Sequence, residues 1–134
     1  MTTLGIANRT VMIVDDDADA REALAQFLHT QGYWSLEAVN GQEAIKQLQS
    51  SAHPPQLILL DLVMPVMDGW EFLTRLPQLN PGRAVPIVIV ITGRDPRIVP
   101  GATAVLRKPL AVAQLLSLMQ RLMPPPEQPD GVRC

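Results

Sequence analysis

Six residues of three types capable of joint chemistry stand at the ends of short apolar runs. Asp15, Asp16 and Asp17 follow one run, Asp61 another, Thr92 a third, and Lys108 a fourth. Carboxylates brought together repel one another, and the natural remedy is a hard cation with oxygen ligands. Magnesium suits a few carboxylates, retained waters and a phosphate. A lysine ammonium adds a point charge for a phosphoryl oxygen or an aspartate, and a threonine hydroxyl donates one hydrogen bond to the same oxygens. A carboxylate held in such company is a candidate nucleophile toward phosphorus, giving an acyl phosphate. Taken singly the residues carry less: Asp15 to Asp17 alone is equally a solvated run capping a helix, and Thr92 and Lys108 alone signify little.

These residues need elements to position them. Val11 to Val14 is a short buried strand; residues 18 to 31 place Ala20, Ala23, Leu24, Phe27 and Leu28 at helical spacing before Gly32. Trp34 to Val39 reads as an edge strand, and Asn40 caps a helix from Gly41 to about Gln49, with Ala44, Ile45 and Leu48 inward. Leu57 to Leu60 forms a third strand ending on Asp61, and Asp68-Gly69 opens a helix through Leu76. Pro86 to Ile91 forms a fourth strand ending on Thr92, and residues 103 to 107 a short fifth. The last helix, about 111 to 123, carries Val112, Leu115, Leu116, Met119 and Leu122 on one face, leaving Leu118 off the stripe. Alternating strands and helices with nearly all-apolar strands call for a parallel sheet covered on both faces. Ligands of such sheets bind beyond the carboxyl ends of the strands, where these residues stand. One interval breaks the rhythm: between Thr92 and Ala102, Pro96 and Pro100 leave room for one or two helical turns at most, so the fourth helix is expected to be shortened or replaced by a loop.

The 134 residues fit one domain, with 1–9 as an N-terminal extension, 10–123 as the domain and 124–134 as a proline-rich, disordered tail. The start at Met1 favours a complete small protein. At 47% hydrophobic and 18% charged, the chain is not a disordered polar one. A net charge of −2 argues against a general grip on nucleic acid. No signal peptide or membrane-length apolar stretch is present, and the lone Cys134 makes no internal disulfide, so the expected location is cytoplasmic. His29 and His53 read as surface residues, and Trp34 and Trp70 as partial packing.

The segments VMIVDDD, LILLDLVMPVMDGWEFL, VIVITG and VLRKPL, in that order, resemble bacterial two-component response regulator receiver domains of the CheY-like kind, from about Thr10 to Leu122. The D-x-x-M-P-x-x-D-G stretch at 61–69 is the most specific part. The resemblance implies a flavodoxin-like (βα)5 three-layer α/β sandwich whose five parallel strands run in the order 2-1-3-4-5. It implies that Asp61 accepts a phosphoryl group from a sensor histidine kinase or a histidine phosphotransfer protein. Asp15, Asp16, Asp61 and the backbone carbonyl of Val63 would hold Mg2+, with Thr92 and Lys108 on the phosphoryl group and Pro109 as the cis-proline. Asp17 matches no family ligand and is read as a helix cap. Such a protein is no enzyme in the usual sense, but a phosphoacceptor that assists its own phosphorylation and dephosphorylation. It signals through phosphorylation-dependent contacts with an unknown downstream protein, as a monomer or weak dimer.

The departures from the family fall on output. Val105 stands where receivers carry an aromatic three residues before the lysine, so the usual aromatic rotamer switch cannot operate. Lys108 follows Thr92 by only 16 residues, and Val63 and Arg94 occupy variable positions beside the pocket. The segment 93–101 is the expected mobile output element. The alternative is a receiver-like interaction domain that works without phosphorylation. An aspartate-nucleophile phosphatase ranks last, since it wants a carboxylate at the position of Val63.

Overall fold

The computed structural model describes residues 9–93 and 98–123. The element order is β1 (Thr10–Val14), α1 (Ala18–Thr30), β2 (Trp34–Ala38), α2 (Gly41–Ser50), β3 (Leu57–Asp61), α3 (Gly69–Arg75), a 3-10 turn (Leu76–Gln78), β4 (Ile87–Thr92), β5 (Ala104–Arg107) and α4 (Val112–Leu122). All strand pairs are parallel and the sheet order is β2-β1-β3-β4-β5, as the resemblance implied.

Burial follows this order. Every residue of the central strand β3 is buried, whereas the edge strands β2 and β5 are buried at one position each. The period-two alternation of strands divides the core between the two faces. Met12, Val14, Ile58, Leu60, Val88 and Val90 meet α2 and α3 through Ala44, Leu48, Phe72 and Leu73. Val11, Ile13, Leu57, Leu59, Ile89 and Ile91 meet α1 and α4 through Leu28, Leu115 and Met119. Among the described residues, the three-layer sandwich therefore forms with four α-helices.

Three helix starts are fixed by carboxylate or amide caps. Asp17 accepts from the N–H groups of Asp19 and Ala20, Asn40 from Glu43, and Asp68 from Glu71, each cap contributing about 1 kcal/mol. The expected roles of Asp17 and Asn40 as caps hold, and Asp68 opens α3.

Some expectations hold and others need correction. As expected of a fourth helix shortened or replaced by a loop, Gly93 and Ile98–Thr103 form no helix, and Val99, 5% exposed, packs in the core. Arg94 and the rest of 94–97 lie outside the described residues, as do 1–8 and the 124–134 tail. Strand β2 ends at Ala38, and Val39 is exposed. On α1 the inward stripe is narrower than its spacing suggested: Leu28 is buried, Leu24 and Phe27 are half-buried, and Ala20 and Ala23 are exposed along a groove. On α4, Val112 is exposed while Leu118 packs half-buried against the core. His29 and His53 are exposed, and Trp34 and Trp70 half-exposed; the His29 ring meets Trp34 edge-on at 6.2 Å.

Candidate phosphoacceptor site

The sheet register places the chemistry. Val14 pairs with Leu60, Asp61 with Ile91, and Thr92 with Arg107, so the residues ending β1, β3, β4 and β5 come to one rim. Asp61 is the deepest carboxylate there, 8% exposed, and Thr92 is 3% exposed. One oxygen each of Asp15, Asp16 and Asp61 lie within 4.8 Å of one another. Asp16 is exposed and Asp15 half-buried.

The surroundings hold these groups in place. Asp61 Oδ1 accepts the Val63 N–H at 3.3 Å, and Oδ2 lies 3.7 Å from Lys108 Nζ. That separation is an ion pair but too long for a hydrogen bond, so the ammonium neutralises the carboxylate without tying up its oxygen. Lys108 is carried by the extended ladder: its N–H donates to the Thr92 carbonyl at 2.8 Å, and the following peptide bond to Pro109 is cis. Asp15 Oδ1 accepts the Asp17 N–H at 2.9 Å, while its own N–H donates to Ala38. Burial raises the Asp61 carboxyl above its ordinary value near 3.8. Lys108 and the Val63 N–H oppose that rise, and the charges of Asp15 and Asp16 add to it.

The loop after Asp61 is folded tightly. The Gly69 N–H donates to the Leu62 carbonyl at 2.8 Å, and a Cβ at Gly69 would lie 2.8 Å from the Asp61 carbonyl oxygen. Only glycine allows that approach. Met64 and Met67 turn inward while Val63 and Val66 turn out, Val66 at a φ of 70° and 73% exposed.

Arg21 is a contributor that the sequence reading missed. Its Nη1 donates to the Asp15 carbonyl at 2.9 Å, and its Nε pairs with Glu37 of β2 at 3.0 Å. The signal was a basic residue near the positive end of α1, where the helix dipole disfavours it.

Residues 11–120 match the family described as response regulator receiver domain. The chain belongs to this family. The receiver is 30% identical over 121 residues to a 14.6 kDa protein of the sodA1 3′ region of Leptolyngbya boryana, covering 87% of this chain and 91% of that one. It is 30% identical over 122 residues to the transcriptional regulatory protein PrrA of Mycobacterium bovis, covering 89% of this chain and 52% of PrrA. The receiver thus spans about half the length of that relative. Among solved structures, it superimposes on a chain of the CheX–CheY–BeF3–Mg2+ complex of Borrelia burgdorferi with a TM-score of 0.75 and 25% identity, covering 84% of this chain and 87% of that one. Receivers are phosphoacceptor signalling domains of two-component systems, not enzymes in the usual sense. Among the described residues, no helix is long and apolar enough to cross a membrane.

Proposed function

We propose that this receiver takes a phosphoryl group onto Asp61 from the phosphohistidine of a sensor histidine kinase or a histidine phosphotransfer protein. The observation that carries the reading is the placement of Asp61. It is a nearly buried carboxylate at the end of the central strand, with two carboxylates within 4.8 Å and an ammonium at 3.7 Å. The donor set is all hard oxygen, which fits Mg2+ and not a soft metal. Asp15, Asp16, Asp61 and the Val63 carbonyl would hold the ion. When bound, it would supply charge neutralisation between the acidic cluster and an incoming phosphoryl group.

In the transfer, an Asp61 oxygen attacks phosphorus as the P–N bond to the donor imidazole breaks, and the imidazole leaves with the electron pair and takes a proton. Lys108 stays on the Asp61 side and pairs with a phosphoryl oxygen, and the Thr92 hydroxyl donates to another. Hydrolysis by water at the same phosphorus returns the carboxylate, with the same residues assisting. The donor must bring its histidine to this rim. A groove of about 340 Å3 opens there, bounded by Asp15 and Lys108 and lined by Ala23, Leu24, Phe27 and Val112. It suits the apolar flank of a donor helix, and the exposed Ala20 and Ala23 leave it open. Mg2+ and BeF3 in the Borrelia burgdorferi complex support the same chemistry. Signalling then proceeds by phosphorylation-dependent contacts with a downstream protein in the cytoplasm, the receiver working alone as a monomer or weak dimer.

Intact-mass measurement after incubation with Mg2+ and acetyl phosphate tests this directly. The expected result is a gain of one phosphoryl group, abolished in Asp61→Ala and without Mg2+. Absence of any gain, from the small donor and then from phosphorylated kinases, would replace this reading with the phosphorylation-independent interaction domain.

A further inference from the structure

The loop from Leu62 to Asp68 carries Val63, whose N–H holds Asp61, and it is fastened at two places. One lies within the loop's own ends, where Gly69 donates to Leu62. The other comes from a different element: the Gly41 N–H of α2 donates to the Met67 carbonyl at 3.1 Å. A Cβ at Gly41 would stand 3.0 Å from both the Met67 carbonyl oxygen and its Cγ, and 3.1 Å from its Sδ. The backbone of α2 therefore rests directly against the loop.

We infer that Gly41, through its contact with Met67, is a positioning residue for the phosphoacceptor loop; this rests on the reading of Asp61 as the phosphoacceptor. Gly41 is the first residue of α2, and its N–H is one of the donors that a helix start leaves without an intrahelical partner. That donor is spent on Met67. The post itself is firm, because Asn40 caps the helix and Ala44 and Leu48 sit in the core. The loop it holds is strained at Val66. Val66 is β-branched at a φ of 70°, in a three-residue turn closed by the Met67 N–H on the Pro65 carbonyl at 2.7 Å. Such a conformation is costly and persists only where the surroundings over-determine it. Buried Met64 and Met67 on either side of that turn, together with the Gly41 contact, supply the constraint. Pushing Met67 away by a few tenths of an ångström therefore moves the turn, and with it the peptide of Val63 against Asp61.

Gly41→Ala separates positioning from folding. The φ of Gly41 lies outside the left-handed region, so alanine meets no backbone objection, and alanine favours a helix over glycine. Stability should hold while chemistry suffers. Full-length wild type and Gly41→Ala are compared for phosphoryl uptake from acetyl phosphate by intact mass, Mg2+ affinity by calorimetry, and melting temperature. The expected result is uptake slowed by about 3- to 10-fold, since misplacement by 1 Å can cost about 100-fold. A weaker Mg2+ affinity should accompany it, with an unchanged or higher melting temperature. Equal uptake and equal Mg2+ affinity in the two proteins would overturn the inference. Should the variant melt early, Met67→Ala in the same background removes the Cγ and Sδ that the new methyl meets. Recovery of uptake then supports the inference, and no recovery overturns it. If wild type itself takes up no phosphoryl group, the phosphoacceptor reading has failed, and Mg2+ affinity alone decides: a drop in Gly41→Ala supports the positioning role, and equal affinity or none in either protein ends it.

Discussion

The β1–β3 half of the sheet and the β4–β5 half are built to different standards. In the first, β3 is buried along its whole length, three carboxylates meet, and the loop after Asp61 is fixed by Gly69 and Gly41. In the second, β5 has four residues with one buried, Val105 is half-buried, and no helix is found among the described residues between β4 and β5. Among the described residues of that connection, Val99 is buried in the core and Ala102 packs half-buried against it. Parts that do chemistry need fixed distances. The receiver concentrates its packing accordingly.

Truncating one core residue in each half measures the difference. Leu60→Ala in β3 removes a fully buried side chain from beside Asp61 and should cost about 3 kcal/mol or more. Val105→Ala in β5 removes two half-buried methyl groups and should cost about 1 kcal/mol. Chemical denaturation of both variants checks this. Equal losses would mean that the β4–β5 half is as tightly packed as the centre, and the contrast would fall.

Lys108 joins the halves, since it belongs to the β5 end yet acts on the β3 carboxylate. Lys108→Met keeps much of the stem and removes the charge. Phosphoryl uptake from acetyl phosphate should fall by about 10- to 100-fold, while stability changes little because the side chain is 40% exposed. A large loss of stability with intact uptake would make Lys108 a structural tie between the halves instead.

Much of the first half was legible in the sequence, and less of the second. Apolar runs ending on Asp15 and Asp61 announce strands and their carboxyl ends, as the run ending on Thr92 does for β4, and Asp17 and Asn40 stand at cap positions with a helical pattern behind them. These signals are local, with a period of 2 or 3.6 residues. The strand order came from resemblance, because local patterns say little about which strands neighbour one another. Pro96 and Pro100 signalled the loss of a helix but not that Val99 would take over its packing. Ala20 and Ala23 lie at inward spacing yet line a groove, since spacing gives a face and not what lies opposite it. The contact of Gly41 with Met67 joins the start of α2 to the loop after β3, 26 residues apart, which no periodicity reveals.

The central strand also carries an electrostatic cost that the edge does not. Burial lifts the Asp61 carboxyl above its ordinary value near 3.8, so the folded protein without magnesium favours the protonated form more than the unfolded chain does. The sign follows from linkage: a raised carboxyl contributes stability that is complete below pH 3.8 and is lost as pH rises through the folded value. Asp61→Asn removes that titration. At neutral pH without Mg2+ it should melt above wild type. The gap should shrink as pH falls toward 3.8. Added Mg2+ should also narrow it, because a cation that binds the folded wild type stabilises that protein alone. Melting curves at several pH values, with Mg2+ and with chelator, read both trends. An Asp61→Asn protein that melts below wild type at neutral pH would show that the pairing with Lys108 outweighs burial, and that the central strand bears no such cost.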